Sequence, residues 1–395
     1  MPIQSYFRTT TAIAQRYAQI FPILSLAGPR QSGKTTLAKQ SFPHLPYVSF
    51  EDLDAQATFT RDPRKFLEMY NNGAIFDEVQ HVPTLFSYLQ GVVDASNATG
   101  RFVLTSSQNF LLNQKITQSL AGRVGLITLL PLSIPELDTK KTSLERIFLG
   151  GYPRLHVAGM LPHEFYPSYI SSYIEREVRQ LQNVENLSLF QTFMKLCAGR
   201  TGQLLNLDSL AQDCGIAHGT ARQWLTILEA SYVVFLLRPY HTNFNKRLTK
   251  MPKLYFYDTG VATSLLGINS LEQLSSHYAK GSLFENFAIT EVLKARLNRG
   301  LQPQLYFWRD SLGREIDLID EWGGTTHLFE CKSGFTFNTD DAKNLEYFSK
   351  LMPQAQRFIV YGAPQLGVYG DIKLITLEEL DPIIAQSSPS PSNPA

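Results

Sequence analysis

Residues 28–35 read Gly28-Pro29-Arg30-Gln31-Ser32-Gly33-Lys34-Thr35 and fit the pattern G-x-x-x-x-G-K-[ST]. No other stretch constrains the fold as much. The pattern works only where a buried strand runs into a glycine loop and then a helix. Residues 22–27 are apolar enough for that strand, and Thr36 with residues 37–40 can open the helix. Gly28 and Gly33 allow backbone conformations that strain any residue with a Cβ. Loop amides can then turn inward on a phosphate, backed by the positive end of a helix. The expected nucleotide-binding set is Gly28, Pro29, Arg30, Gln31, Ser32, Gly33, Lys34, Thr35 and Thr36. Lys34 is expected to reach the β- and γ-phosphates during catalysis, and the Thr35 hydroxyl to ligate Mg²⁺.

Composition narrows the setting. The chain has 395 residues, enough for two or three domains. Its net charge of +1 gives no global field that advertises a nucleic-acid partner. Cys197, Cys214 and Cys331 are scattered, make no zinc spacing and suit a reducing cytosol. Residues 1–8 hold no apolar signal core, and no apolar run approaches the roughly 18 residues of a membrane span. A cytoplasmic protein with no membrane partner is expected.

A second acidic signal follows the loop. Residues 73–78 are apolar and end in Asp77-Glu78, as a Walker B strand does. Asp77 would help hold Mg²⁺, and Glu78 would polarise the attacking water. Residues 101–107 read as a further strand ending in hydroxyls. Ser107 or Asn109 there either senses the γ-phosphate or belongs to a hydrogen-bonded turn. Arg123 reads as an arginine finger, in cis or from a neighbouring subunit, or as a surface arginine at a helix end. If it acts across subunits, the chain is a homo-oligomer. No Asn-Lys-x-Asp run is present, so ATP is expected over GTP.

These segments, with residues 119–124, Leu130-Pro131-Leu132-Ser133, Gly150-Gly151-Tyr152-Pro153-Arg154, Tyr173-Ile174-Glu175-Arg176-Glu177-Val178, Arg200-Thr201-Gly202-Gln203, residues 252–260, Glu315-Ile316-Asp317 and Glu330-Cys331-Lys332, define a resemblance. The chain resembles the prokaryotic AAA-type ATPases that carry a C-terminal domain of unknown function. Glycine is usual in that family where Ser106 stands, and aspartate is frequent where Glu177 stands. The resemblance implies ATP binding and hydrolysis by an α/β P-loop NTPase domain of the AAA-like, ASCE type.

Residues 207–229 read as a helix, a glycine turn and a second helix, and residues 232–237 as the start of a wing. This is a winged-helix pattern, used either for DNA or for internal packing. Its candidate recognition helix carries His218, Arg222 and Gln223, while Lys246, Arg247, Lys250 and Lys253 form a richer basic patch. Beyond Gly281, an amphipathic helix with Glu285 precedes three strands. Strand residues two apart share a face, so Glu315 pairs with Asp317 and Glu330 with Lys332. That set resembles the PD-(D/E)XK nuclease core. There Asp317 and Glu330 would hold Mg²⁺, Lys332 would orient water or stabilise charge, and Glu285 would support the site. The alternative is a salt-bridge cluster in a module that does not cleave.

The expected organisation is an ATPase domain over 1–138, a helical connector and winged-helix region over 139–265, a restriction-endonuclease-like α/β domain over 266–385, and a disordered tail over 386–395. The expected function is an Mg²⁺-dependent ATPase coupled to a DNA-binding or nuclease-like module. The alternatives are a DNA nuclease switched by ATP and a nucleotide-dependent adaptor without turnover.

Overall fold

The computed structural model describes residues 7–96, 98–107, 120–137, 140–174, 186–240, 250–362 and 367–388. The first sheet contains β1 (Ile23–Ala27), β2 (Tyr47–Ser49), β3 (Ala74–Asp77), β4 (Phe102–Ser106) and β5 (Val124–Thr128). Its order is β2-β3-β4-β1-β5, and every pairing is parallel. β1, β3 and β4 are buried along their whole length. Burial on both faces is why their sequences run apolar rather than alternating. β4 lies between β1 and β3, inserted at the centre of the sheet. The carboxyl ends of β1, β3 and β4 share one edge, where open parallel sheets bind ligands.

Three helices follow further on: Leu187–Gly199, Leu207–Cys214 and His218–Ala230. The Asn206 side chain accepts from the Ser209 amide and caps the second of these. Gly215 ends it at φ 71°, a left-handed value that suits glycine. Phe190, Phe193 and Trp224 then pack edge-on and stacked in the core between them. β6 (Val234–Pro239) and β7 (Lys253–Phe256) form an antiparallel pair.

That pair does not end its own module. β6 also runs parallel to β8 (Leu305–Arg309), which pairs with β9 (Glu315–Trp322), itself antiparallel to β10 (Thr325–Lys332). With β11 (Gln356–Tyr361), β12 (Val368–Tyr369) and β13 (Ile372–Thr376) they make one eight-stranded sheet. Its order is β12-β13-β11-β10-β9-β8-β6-β7. Strand residues alternate between its faces: Phe358 and Val360 join the core under the Lys280–Leu297 helix, while Ile359 and Tyr361 join that under the Lys343–Ser349 helix.

The Lys280–Leu297 helix is buried almost all round, including Asn286, Glu291, Lys294 and Arg296. Its charges are matched. Arg296 is wholly buried and forks onto Asp320, with Nε–Oδ1 at 2.9 Å and Nη2–Oδ2 at 2.5 Å. His327 Nδ1 lies 3.0 Å from the same carboxylate. Burial pushes the Asp320 carboxyl up, but His327 and Arg296 outweigh it and hold the group below its ordinary range. Asp320→Ala would strand a buried guanidinium. It is expected to cost about 3–5 kcal/mol of unfolding free energy. Urea denaturation of the full chain measures this, and a loss under about 1 kcal/mol would contradict it.

The same helix ties the two sheets together. Glu291 Oε2 accepts the Ile134 amide at 2.7 Å, and Lys294 Nζ donates to Leu132 O at 2.9 Å. Glu136, in that same connecting stretch, accepts from Arg8 Nε at 3.1 Å and the Thr9 amide at 2.8 Å. Arg8 in turn donates to Ser32 O at 2.6 Å and Leu130 O at 2.7 Å. The glycine loop and the long helix are therefore fixed to one short segment. No described helix is long and apolar enough to cross a membrane.

Candidate functional site

The glycine loop leaves β1 and enters the Lys34–Ser41 helix, as the motif requires. Gly28 sits at φ 151°, and a Cβ there would lie 2.1 Å from Leu129 O. Gly33 sits at φ 96°, and Gln31 is a non-glycine residue held at φ 59°. Such strain concentrates at ligand-binding loops. The Lys34 ammonium is buried and donates to Gly28 O at 3.0 Å and Pro29 O at 2.9 Å. Arg30 reaches Glu51 Oε1 at 2.5 Å. Ser32 Oγ is buried with no hydrogen-bond partner among the described residues, an atom left open to a ligand.

β3 delivers Asp77 to this loop. Thr35 Oγ1 donates to Asp77 Oδ1 at 2.9 Å, Tyr47 OH donates to Oδ2 at 2.8 Å, and the Thr105 hydroxyl also donates to Oδ1. Glu78 follows at φ 55°, a left-handed backbone that turns its carboxylate away from the strand direction. Its amide donates to Thr105 Oγ1 at 3.1 Å. Ser107 Oγ donates to Glu78 Oε2 at 3.0 Å, and Gln80 Nε2 bonds both. Burial pushes the Glu78 carboxyl up. The Lys34 charge, the Gln80 hydrogen bond, Arg30 and Ser107 together outweigh it and hold the group below its ordinary range. Glu78 is therefore an ionised, oriented carboxylate beside the loop.

The structure brings together residues 28–36, Asp77, Glu78 and Ser107. Asn109 lies outside the described residues. Arg123 is not brought to the pocket of its own chain. It immediately precedes β5, whose first residue, Val124, pairs with Ile23 at the amino end of β1, whereas the loop leaves the carboxyl end. Its guanidinium instead forks onto the exposed Asp94, at 2.5 and 3.0 Å. Tyr47, Gln80, Thr105 and Arg8 are not residues that the sequence pattern singles out: Tyr47 and Thr105 reach Asp77 from the two flanking strands, Arg8 reaches the loop from a segment upstream of it, and Gln80 turns back onto Glu78 from two residues further on.

The C-terminal carboxylates also meet. Oxygens of Glu285, Glu315 and Asp317 all lie within 4.8 Å of one another. Asp317 Oδ2 accepts the Cys331 amide at 2.8 Å, which ties β9 to β10. Lys332 Nζ donates to Glu330 Oε1 at 2.8 Å. Glu330 Oε2 is buried and has no hydrogen-bond partner among the described residues. Burial, then the Asp317 charge, pushes both Glu285 and Glu330 above the ordinary carboxylate range. Lys253 corrects the sequence reading. It is 2% exposed, too deep to track a phosphate backbone, and donates to Glu285 Oε1 at 2.9 Å while pairing with Glu315. Tyr255 OH reaches Glu285 Oε1 at 2.5 Å. Lys246 and Arg247 lie outside the described residues, and Lys250 is exposed.

Comparison with known proteins gives the context of both sites. Residues 21–137 match the family described as AAA domain. Residues 140–272 and 280–380 match two families described as domains of unknown function, DUF8612 and DUF4143. The N-terminal domain is thus an ATP-binding AAA-type domain with the P-loop NTPase fold. An uncharacterized protein of Mycobacterium bovis is 31% identical over 330 residues, 82% of this chain and 73% of that one. An uncharacterized protein of Mycobacterium tuberculosis matches with the same figures, 31% over 330 residues. The solved structure of a Walker-type ATPase of Pyrococcus abyssi aligns at 15% identity with a TM-score of 0.44, over 65% of this chain and 94% of that one.

Proposed function

We propose that this chain, which belongs to the same family as the two mycobacterial proteins, hydrolyses ATP with Mg²⁺ and couples that turnover to its C-terminal module. One observation carries the hydrolytic reading. The Glu78 carboxylate is held by Ser107 and Gln80 next to Asp77, which Thr35 bonds. Binding alone needs no such carboxylate. Thr35 and Asp77 fit Mg²⁺, since their oxygens are hard donors 2.9 Å apart at the helix start. When bound, the ion neutralises charge on the β- and γ-phosphates. The chain's own groups do the rest. Loop amides and Lys34 hold the triphosphate, Ser107 and Gln80 fix the Glu78 carboxylate, and Glu78 takes a proton from the attacking water. Steady-state phosphate release from the full chain, with and without DNA, tests the reading. Coupling predicts a rate that DNA changes; a rate at background in both conditions contradicts it.

A second reading concerns the C-terminal module, as an Mg²⁺-dependent nuclease with a winged-helix region beside it. Its support is the order helix, β8, β9, β10, helix, β11, with Asp317 and Glu330 on adjacent strands. Asp317 and Glu330 fit a divalent ion, because Glu330 Oε2 is a buried acceptor without a partner. Lys332 beside them would supply positive charge to a developing phosphorane. Arg222 and Gln223 on the His218–Ala230 helix are exposed and available to DNA. Plasmid incubated with Mg²⁺ is expected to be nicked by the unmodified chain and spared by Asp317→Ala. No cutting by the unmodified chain would leave a non-cleaving adaptor in place of the nuclease.

A further inference from the structure

The carboxylate cluster has two unlike sides. On one side Glu285 and Glu315 are already served by cations of the protein. Lys253 Nζ bonds Glu285 Oε1 at 2.9 Å and also pairs with Glu315. Arg309 Nη1 takes the other Glu315 oxygen at 3.2 Å, and Tyr255 OH holds Glu285 Oε1. On the other side Asp317 has Oδ2 on the Cys331 amide, Glu330 has Oε1 on Lys332, and Glu330 Oε2 has nothing. Glu330 is 4% exposed, so this acceptor is cut off from bulk water. A buried oxygen in that position costs free energy unless an ion or donor completes it.

Lys253 does not come from the matched C-terminal region, residues 280–380. It stands on β7, the far edge strand of the shared sheet. Sites with two divalent ions hold them about 3.5–4 Å apart on shared carboxylates. Each ion would need oxygens at about 2.0–2.1 Å, if it is Mg²⁺. An ammonium is already seated between Glu285 and Glu315, two of the three carboxylates that come together.

We propose that Lys253 is a built-in cation of this site: its ammonium stands where a second metal would sit, so the cluster takes a single divalent ion between Asp317 and Glu330. Lys253 is then a positioning residue, which holds Glu285 and Glu315 in place. The inference rests on the metal-dependent reading of the C-terminal module and goes beyond it in fixing the number of ions. It also makes the site depend on a strand outside the region that carries the other carboxylates.

The test is Mn²⁺ binding to the nucleotide-free full chain, carried in an Asp77→Asn background that removes the ATP-site ligand. Calorimetry counts the ions, and electron paramagnetic resonance reports whether bound ions couple. One Mn²⁺ per chain with an uncoupled spectrum is expected, lost in Asp317→Asn. Lys253→Met is expected to admit a second ion and broaden the spectrum by coupling. Two coupled ions in the chain that keeps Lys253 would overturn the inference while sparing the metal-dependent reading. An unchanged count in a folded Lys253→Met chain would do the same. No Mn²⁺ beyond that bound by Asp317→Asn would remove the metal-dependent reading itself. If Lys253→Met does not fold, the spectrum of the chain with Lys253 still decides.

Discussion

Lys34→Ala is expected to bring phosphate release to background and to weaken ATP binding together. The ammonium is buried in the loop and bonds Gly28 O and Pro29 O, so it is folded back onto the loop's own carbonyls. Those carbonyls are weaker partners for a cation than phosphate oxygens. ATP is expected to draw the side chain away from them and onto the β- and γ-phosphates. Loss of one positioned charge at a developing anion costs about 10²–10³-fold in rate. Ground-state binding is expected to suffer as well, because the proposed mechanism has the same ammonium contact the nucleotide before the reaction. Phosphate release and equilibrium ATP binding, measured on a sample whose circular dichroism matches the parent, report both effects. Turnover near the parental rate would show that phosphate is bound elsewhere.

Glu78→Gln is expected to separate the two effects. The amide keeps the shape that Ser107 and Gln80 hold but cannot accept a proton. General-base loss costs about 10²–10⁴-fold. ATP binding should stay close to parental, since in the proposed mechanism Glu78 acts on water rather than on the triphosphate. The sign of the Glu78 shift supports its role. A carboxyl held below its ordinary range stays charged at neutral pH and loses its charge only as pH falls through its lowered value. Equal loss of binding and turnover in this variant would assign Glu78 to holding the loop rather than to chemistry.

The nucleotide pocket was legible because its parts are local. A strand, a glycine loop and a helix start lie within residues 22–40, and spacing alone specifies their geometry. Asp77 and Glu78 were legible for the same reason, as the end of an apolar strand. Tyr47 was not, because it reaches Asp77 from a neighbouring strand whose register no local pattern encodes. For Arg123 the sequence leaves three roles open, a finger in cis, a finger from a neighbouring subunit and a surface arginine; the parallel register of β5 on β1 puts it at the opposite end of the sheet from its own pocket, where it pairs with Asp94.

The C-terminal site was half legible. Period-two spacing on β9 and β10 gives Glu315 with Asp317 and Glu330 with Lys332. Lys253 was misread as surface charge because its partners lie 32 and 62 residues downstream, at Glu285 and Glu315. A lysine in a run of lysines and arginines carries no mark of burial. The spacing Lys253-x-Tyr255 on an otherwise apolar strand is the one signal that could have found it, since both side chains reach Glu285.

Measuring Mg²⁺-dependent ATP turnover by the purified full chain, with Glu78→Gln alongside, tests the central claim most directly. Phosphate release that chelation abolishes and that falls at least a hundredfold in the variant, while the variant still holds ATP, is the predicted result. A folded chain that releases no phosphate with Mg²⁺ and ATP, or a variant as fast as its parent, would contradict it.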